Sequence, residues 1–223
     1  MRFLKKSDRQ SVRFTTLMLL LVLLVAVSAS IRARRIGKLP YLEHLDDTAV
    51  TIDGTDYKLR DLAFYLAYQE MSTQEQAKIY DLKQPNKYWN IHTNGSFIRT
   101  ESKDAAMEAA VHDVIFYQMA LTDGLTLTAE ETVYMENQKL DFWNDLEEYG
   151  QRRLGVSQEE LNDTFLHMAL AQKKQALLAD ENGVDYREYN KTGEQYQKIL
   201  TEHTYTVNES LWDRLNFGKI IIP

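Results

Sequence analysis

The sequence predicts a mainly α-helical protein: an N-terminal transmembrane or signal-anchor helix, followed by a helical domain with a small β-hairpin. Three observations predict this fold class. Only nine glycines and three prolines occur in 223 residues, so little interrupts long helices. Apolar residues after position 58 recur at the spacing of one helix face. Two short alternating segments flank Asp53-Gly54, which is typical of a type I′ hairpin.

The first 38 residues differ in charge and hydropathy from the rest. They contain nine Lys or Arg and one Asp, whereas the following 185 residues contain 17 Lys or Arg and 32 Asp or Glu. The apolar run Phe14–Ile31 would span roughly 27 Å as a helix, close to a hydrocarbon core of about 30 Å. We therefore expect a cytoplasmic basic segment, a transmembrane helix or signal peptide, a linker and an extracytoplasmic domain, at residues 1–13, 14–31, 32–47 and 48–223.

Three interpretations of the apolar run stay open. The basic residues from Arg32 to Lys38 directly after it favour a retained anchor, with a single-pass protein at the cell membrane. The small residues Val27-Ser28-Ala29 are compatible with a cleaved signal peptide and a secreted protein. A buried helix of a soluble domain is the third interpretation. The sequence contains no cysteine, which excludes disulfides, thiol catalysis and a lipid-modified cysteine as the anchor.

The first half of the domain is expected to contain one hairpin, two helices and one irregular loop. The hairpin covers residues 49–59. The first helix, about 59–81, presents apolar residues at i, i+3, i+4 and i+7. Pro85 and Asn94-Gly95 indicate an irregular loop at about 83–101. The second helix covers about 102–122 and ends before Gly124, which suits the position after a helix C-terminus.

The second half begins each of its first two helices with a capping box. Thr128 and Glu131 predict a helix that runs to about Tyr149 and ends at Gly150. Ser157 and Glu160 predict another that ends near Glu181, before Gly183. A further helix from Asp185 to about Glu202 and a helical turn near 209–214 should follow. The apolar end, Ile220–Ile222, is expected to pair with the early hairpin as a strand.

Three motifs in this order resemble the N-terminal chaperone domain of the SurA and PrsA-type foldases, related in shape to the trigger-factor chaperone domain. They are Val50–Leu62 with its Asp-Gly turn, the helix Ala105–Ala120 followed by Leu121–Glu131, and Leu154–Leu161. The resemblance covers about residues 49–181. It implies ATP-independent holding of unfolded exported polypeptides in a helical cradle.

The chain departs from that family in two ways. Many members carry a parvulin isomerase domain after this region, but only 42 residues follow Glu181, and the last helix and the apolar tail occupy them. We therefore expect no isomerase activity. PrsA-type proteins are usually lipoproteins, and this chain has no cysteine to carry the lipid.

No motif predicts an enzyme, a metal site or a cofactor. The five histidines do not occur at i, i+4 on a predicted helix, and no H-E-x-x-H motif is present. Asp141, Asp145 and Glu148 form a carboxylate stripe, which we interpret as a solvated helix face. The acidic domain lacks the basic stripe of a nucleic-acid-binding protein.

Aromatic residues are the best candidates for a binding surface. Six are predicted to contact a client polypeptide: Tyr65, Tyr68, Tyr88, Trp89, Phe97 and Trp143. Tyr88 and Trp89 lie in the predicted loop, where exposure is expected. The competing interpretation of these aromatics is ordinary core packing. The functional hypothesis is a membrane-anchored chaperone without catalytic residues; the alternative is a structural subunit that docks one cell-envelope partner. The sequence does not indicate an oligomeric state.

Overall fold

The computed structural model describes residues 37–93 and 95–223, together with Met18 and Leu20. The rest of the predicted anchor at 14–31 lies outside the described residues. Among the described helices, none is both long enough and apolar enough to cross a membrane. The described part is mainly helical with small antiparallel sheets, as the sequence predicts.

Helices and strands follow one another along the chain in an order close to the predicted one. The α-helices are α1 (Ala63–Tyr80), α2 (Ile98–Thr122), α3 (Ala129–Asp145), α4 (Glu147–Leu154), α5 (Leu161–Asn182), α6 (Glu194–Leu200) and α7 (Glu209–Trp212). The strands are β1 (Thr48–Ile52), β2 (Thr55–Lys58), β3 (His92–Thr93), β4 (Ser96–Phe97) and β5 (Tyr205–Val207). Short 3-10 helices cover Tyr41–Glu43, Leu59–Leu62, Pro85–Asn90 and Tyr186–Tyr189.

The hairpin at Asp53-Gly54 is confirmed. Both turn residues have positive φ, 48° and 80°, as a type I′ turn requires. β1 is the central strand of a three-stranded antiparallel sheet in the order β2-β1-β5. The predicted third strand at Ile220–Ile222 is wrong, because Tyr205–Val207 pairs with β1 instead. The Asp53 carboxylate fixes this pairing by accepting a hydrogen bond of 2.8 Å from the Thr204 N–H.

The helical core is built on an antiparallel pair. The Thr73 hydroxyl on α1 donates to Ser102 on α2 at 3.0 Å, and the Tyr65 hydroxyl donates to Asp113 at 3.0 Å. Residue numbers therefore rise on one helix as they fall on the other. α2 also packs along α5, and α5 packs against α3, so α2 has neighbours on two sides.

Both predicted capping boxes are present. Glu131 Oε2 accepts from the Thr128 N–H at 2.7 Å, and Glu160 Oε2 accepts from the Ser157 N–H at 2.7 Å. The predicted end of the third helix at Tyr149 is wrong. The helix stops at Asp145, where Leu146 is buried and Glu147 takes a positive φ of 53°. Gly150 lies inside α4, and Gly155 (φ 75°) ends that helix.

Two further expectations change in detail. The helix expected from Asp185 to Glu202 is divided into the 3-10 turn Tyr186–Tyr189 and α6, since Gly193 packs against the carbonyl of Glu188. The loop expected at 83–101 is ordered into the 3-10 helix Pro85–Asn90 and the hairpin of β3 and β4, and α2 already begins at Ile98.

Segments at both ends of the described region enter the core. Leu39, Tyr41 and Leu45, which fall in the expected linker, are buried, and the Tyr41 hydroxyl donates to the carbonyl of Leu154 at 3.1 Å. Ile220–Ile222 are also buried, as an apolar tail should be, although they form no strand. The core thus includes chain on both sides of the helical bundle.

Candidate functional site

The floor of the candidate site is a cluster of aromatic rings from three helices. Phe64 of α1 contacts Phe142 of α3 at 4.8 Å and Phe165 of α5 at 4.9 Å between ring centroids, both edge to face. Tyr68 stacks on Phe64 at 5.7 Å. Edge-to-face aromatic pairs stabilise packing by more than the burial of their surface area accounts for. These contacts therefore hold the three helices at fixed distances.

Above this floor lies an open groove of about 830 Å³. α1, α3 and α5 form its walls, with Ala109 and Asp113 of α2 at the base. Its apolar lining consists of Phe64, Tyr65, Tyr68, Met71, Ile79, Phe142, Phe165 and Met168. Tyr68 is 58% exposed, so a bound segment would contact its ring directly. Flexible Met side chains beside rigid rings suit apolar segments of varied shape.

A hydrogen-bonded chain fixes the base of the groove. The Tyr65 hydroxyl donates to one carboxylate oxygen of Asp113, and His112 Nδ1 lies 2.8 Å from the other. His112 Nε2 lies 2.9 Å from the carbonyl oxygen of Tyr189. Burial raises the pKa of the Tyr65 hydroxyl well above its usual range. Tyr65 therefore stays a neutral donor, and Asp113 serves to orient the base of the groove.

The rim of the groove is acidic. Besides Asp113 at the base, its charged lining residues are Glu75, Asp141 and Asp145, and the described lining contains no Lys or Arg. Glu75 forms an ion pair with Lys78 at 2.6 Å. Asp141 and Asp145 are exposed, and they form no ion pair with any described residue. An apolar floor below unpaired carboxylates favours an apolar segment that carries basic residues at its flanks.

The structure separates the six predicted client-binding residues. Tyr65 and Tyr68 line the groove, but the Tyr65 ring is buried in its base. Tyr88 packs on Tyr80 at 5.5 Å, and Phe97 lies on β4 beside His92. Trp143 is half-buried beside the groove and does not line it. Of the six, Tyr68 alone is both exposed and in the groove.

The expectation of exposure at Trp89 is wrong. Its side chain is 1% exposed, packs edge to face on Phe217 at 5.9 Å, and donates from Nε1 to Gln74 Oε1 at 2.9 Å. The indole plugs the space between α1 and the C-terminal tail. Pro85 and Asn94-Gly95 indicate turns, but they do not tell whether the aromatic between them faces inward.

Sequence reasoning missed several groove residues. Phe165 and Met168 follow Leu161 at i+4 and i+7, so helical periodicity places them on a common side of that helix. Phe64 does not fit the i, i+3, i+4, i+7 face that begins at Leu59 in the first predicted helix. Periodicity assigns residues to a face, but only the packing of α1 between α2 and the groove decides which residues on it stay accessible.

A smaller cavity of about 340 Å³ lies between the sheet and α5, with Asp61, Asp163 and His167 on its walls. His167 stacks on Tyr117 at 3.7 Å, and burial lowers the pKa of this histidine below its usual range. Across the described ranges, no group of three His, Asp or Glu side chains is placed to hold a metal ion. His167 thus packs as a neutral ring.

Comparisons with known proteins give no match for this chain: no family model, no curated protein and no solved structure is detectably similar to it.

Proposed function

We propose that this chain is a membrane-tethered, non-catalytic chaperone-like protein whose groove holds apolar segments of exported polypeptides. The observation that carries the proposal is the groove of about 830 Å³, which joins an aromatic floor to unpaired carboxylates at its rim. Such a surface buries apolar side chains without ATP. The acidic domain around it keeps the complex soluble by charge repulsion.

The tether is proposed from the apolar run at 14–31 and the basic residues on either side of it. A domain held at the membrane would meet exported polypeptides as they emerge from the membrane. An intact-mass measurement on the native protein checks this part. A mature N-terminus at Ser30 would show that the leader is cleaved, and the protein would then act in a soluble form.

An aggregation assay tests the holding function. The full chain, reconstituted in nanodiscs, is mixed with chemically unfolded citrate synthase, and light scattering is followed during dilution. We expect wild type to suppress scattering and Tyr68→Ser to do so less well, because the exposed ring of the groove is lost. Tyr134→Ser is the matched control, since Tyr134 is 63% exposed on α3 and lies outside the groove.

The outcomes distinguish the two candidate functions. Equal suppression by Tyr68→Ser and wild type would remove the groove from the mechanism. No suppression by wild type would contradict general holding. The rigid, ring-to-ring floor favours the second candidate in that case, a docking site for one cell-envelope protein, because a preformed surface suits one segment of complementary shape.

A further inference from the structure

The segment 78–99 forms one end of the helical bundle and has a composition unlike the rest of the domain. It contains four basic residues, Lys78, Lys83, Lys87 and Arg99, and one acidic residue, Asp81. The domain as a whole is strongly acidic. In the part of the chain that the structure describes, Lys83, Lys87 and Arg99 form no ion pair. Lys83 and Lys87 are exposed, so their charge is available to a partner, whereas Arg99 is half-buried.

The same end presents the two most exposed large apolar side chains of the described residues, Ile79 and Leu82, together with the exposed rings of Tyr80 and Phe97. Ile79 is 86% exposed, Leu82 is 79% exposed and Phe97 is 51% exposed, and Tyr80 lies beside Leu82. α1 and α2 run antiparallel, with Thr73 bonded to Ser102. The C-terminal end of α1 and the β3–β4 hairpin before α2 therefore lie at the same end of the bundle.

This end is held firmly by the core. Trp89 is buried against Phe217, the Tyr88 hydroxyl donates to Gln76 at 3.0 Å, and the Tyr80 ring packs on Tyr88. The exposure of Leu82 and its neighbours is therefore imposed by the fold, because the aromatic residues that could have covered them point inward or pack onto one another.

From these observations we propose that residues 78–93 and 95–99 are a contact surface for an anionic lipid bilayer. Exposed aliphatic and aromatic side chains beside Lys and Arg suit the membrane interface, where apolar groups enter the acyl boundary and cations meet anionic headgroups. The rest of the domain is acidic and would be repelled by the same surface. The contact thus orients the domain with this end toward the bilayer. The proposal does not depend on holding of clients, and of its apolar residues only Ile79 also lines the groove.

Because the chain contains no cysteine, a single labelled cysteine reports one position. Leu82→Cys and the control Tyr134→Cys are each labelled with an environment-sensitive fluorophore in the full chain. Both proteins are reconstituted in nanodiscs of phosphatidylcholine alone or of phosphatidylcholine with phosphatidylglycerol. We expect the Leu82→Cys label to shift to the blue and to be quenched by nitroxide lipids in the anionic discs, while the control stays water-like.

Neutralising two lysines tests the electrostatic part. Each lysine near an anionic surface strengthens binding about fivefold, so Lys83→Gln with Lys87→Gln should lower the ratio of quenched to unquenched label about 25-fold. Both side chains are exposed, and an unchanged melting temperature checks that the fold is kept. Water-like emission of the Leu82→Cys label in both discs would overturn the proposal. So would an equal shift in both discs or an equal shift in the control.

Discussion

The carboxylate of Glu70 on α1 accepts a hydrogen bond of 2.9 Å from the backbone N–H of Ile221. Its other oxygen accepts from the N–H groups of Ile220, at 3.0 Å, and Gly218. Glu70 is completely buried. The C-terminal tail forms neither helix nor strand here, so one side chain supplies the acceptors that a neighbouring strand would otherwise provide.

Arg153 holds the same tail from α4. Its Nε donates to the carbonyl of Ile220 at 2.6 Å, and one of its terminal nitrogens donates to the carbonyl of Lys219 at 2.7 Å. Glu70 therefore pairs the donors of the tail and Arg153 its acceptors. These two side chains therefore pair several backbone groups of a buried apolar segment that forms neither helix nor strand.

Glu70→Gln should destabilise the domain. An amide keeps one acceptor oxygen but places an NH₂ donor against a backbone N–H, and a buried unpaired donor costs about 1–3 kcal/mol. Urea unfolding followed by circular dichroism measures the change. Glu75→Gln, on the exposed side of the same helix, is the control and should change the free energy of unfolding by less than about 0.5 kcal/mol. Equal effects of the two variants would contradict the role of Glu70 in holding the C-terminal tail.

Burial raises the pKa of Glu70 above its usual 4.5, and the backbone hydrogen bonds only partly oppose this. The folded protein therefore holds the Glu70 proton more tightly than the unfolded chain does. The stabilisation that the bound Glu70 proton gives the folded state is complete below pH 4.5, and it is lost as pH rises through the raised pKa. As the pH rises through the raised pKa, we expect wild type to lose stability relative to Glu70→Gln, so that the difference between the two proteins shrinks. A difference that grows with pH would contradict this assignment.

Two helix-ending glycines provide a matched pair. Gly155 and Gly183 both have positive φ, 75° and 61°, so alanine at either position should cost about 1–2 kcal/mol in backbone strain. A Cβ on Gly183 meets nothing within 4 Å, but one on Gly155 would lie 2.6 Å from Leu45 Cδ1. Gly155→Ala should therefore cost about 1–3 kcal/mol more than Gly183→Ala. Similar melting temperatures for the two variants would show that the Leu45 segment does not pack there.

The burial of Trp89 predicts a stability effect and no direct binding effect. Trp89→Ala removes a core ring beside Phe217 and should cost about 3–5 kcal/mol. Tyr88→Ala should cost clearly less, because Tyr88 is half-buried. Thermal unfolding of the two single variants separates the contributions. A Trp89→Ala protein that melts like wild type would restore the interpretation of an exposed loop aromatic.

Binding in the groove should depend little on salt. Burial of apolar surface is not screened, whereas exposed charge pairs weaken at about 0.3 M salt, where the Debye length is under about 8 Å. Fluorescence anisotropy of a labelled apolar peptide with basic flanks is the measurement. Asp141→Asn with Asp145→Asn should slow association of this peptide and leave a peptide with neutral flanks unaffected. Loss of binding at that salt concentration would show that charge, and not the aromatic floor, carries the interaction.

Local signals in the sequence predicted most of the fold. The Asp53-Gly54 turn and the capping boxes at Thr128 and Ser157 depend on residues at most three positions apart, so they can be predicted without the tertiary structure. The break at Leu146–Glu147 was not predictable in the same way. Leu146 follows the buried Phe142 at i+4 and is itself buried, so the apolar pattern continues through the point where Glu147 takes a positive φ of 53°.

The candidate site was predictable only in part. Aromatic residues on the helices suggested candidates for a binding surface, and one of them, Tyr68, is exposed and lines the groove. The exposures of Trp89 and Tyr68 differ because one ring faces the C-terminal tail and the other faces the opening between α1, α3 and α5. That difference depends on Phe142 beside the groove and on Phe217 in the tail, which lie more than 60 residues away in the chain. A local sequence pattern does not predict contacts over such a distance.

The sequence by itself determined the class of this protein: a basic N-terminal stretch with an apolar run, an acidic helical domain, and the positions of most helices. These follow from periodicity, capping chemistry and charge, which act between near neighbours. Only the tertiary structure decided that Tyr205–Val207 and not the isoleucine tail completes the sheet, that Glu70 receives that tail, and that a groove stays open over Phe64. Each of these is a competition among distant segments for the same buried space, and its outcome depends on shape and hydrogen-bond pairing across the whole core.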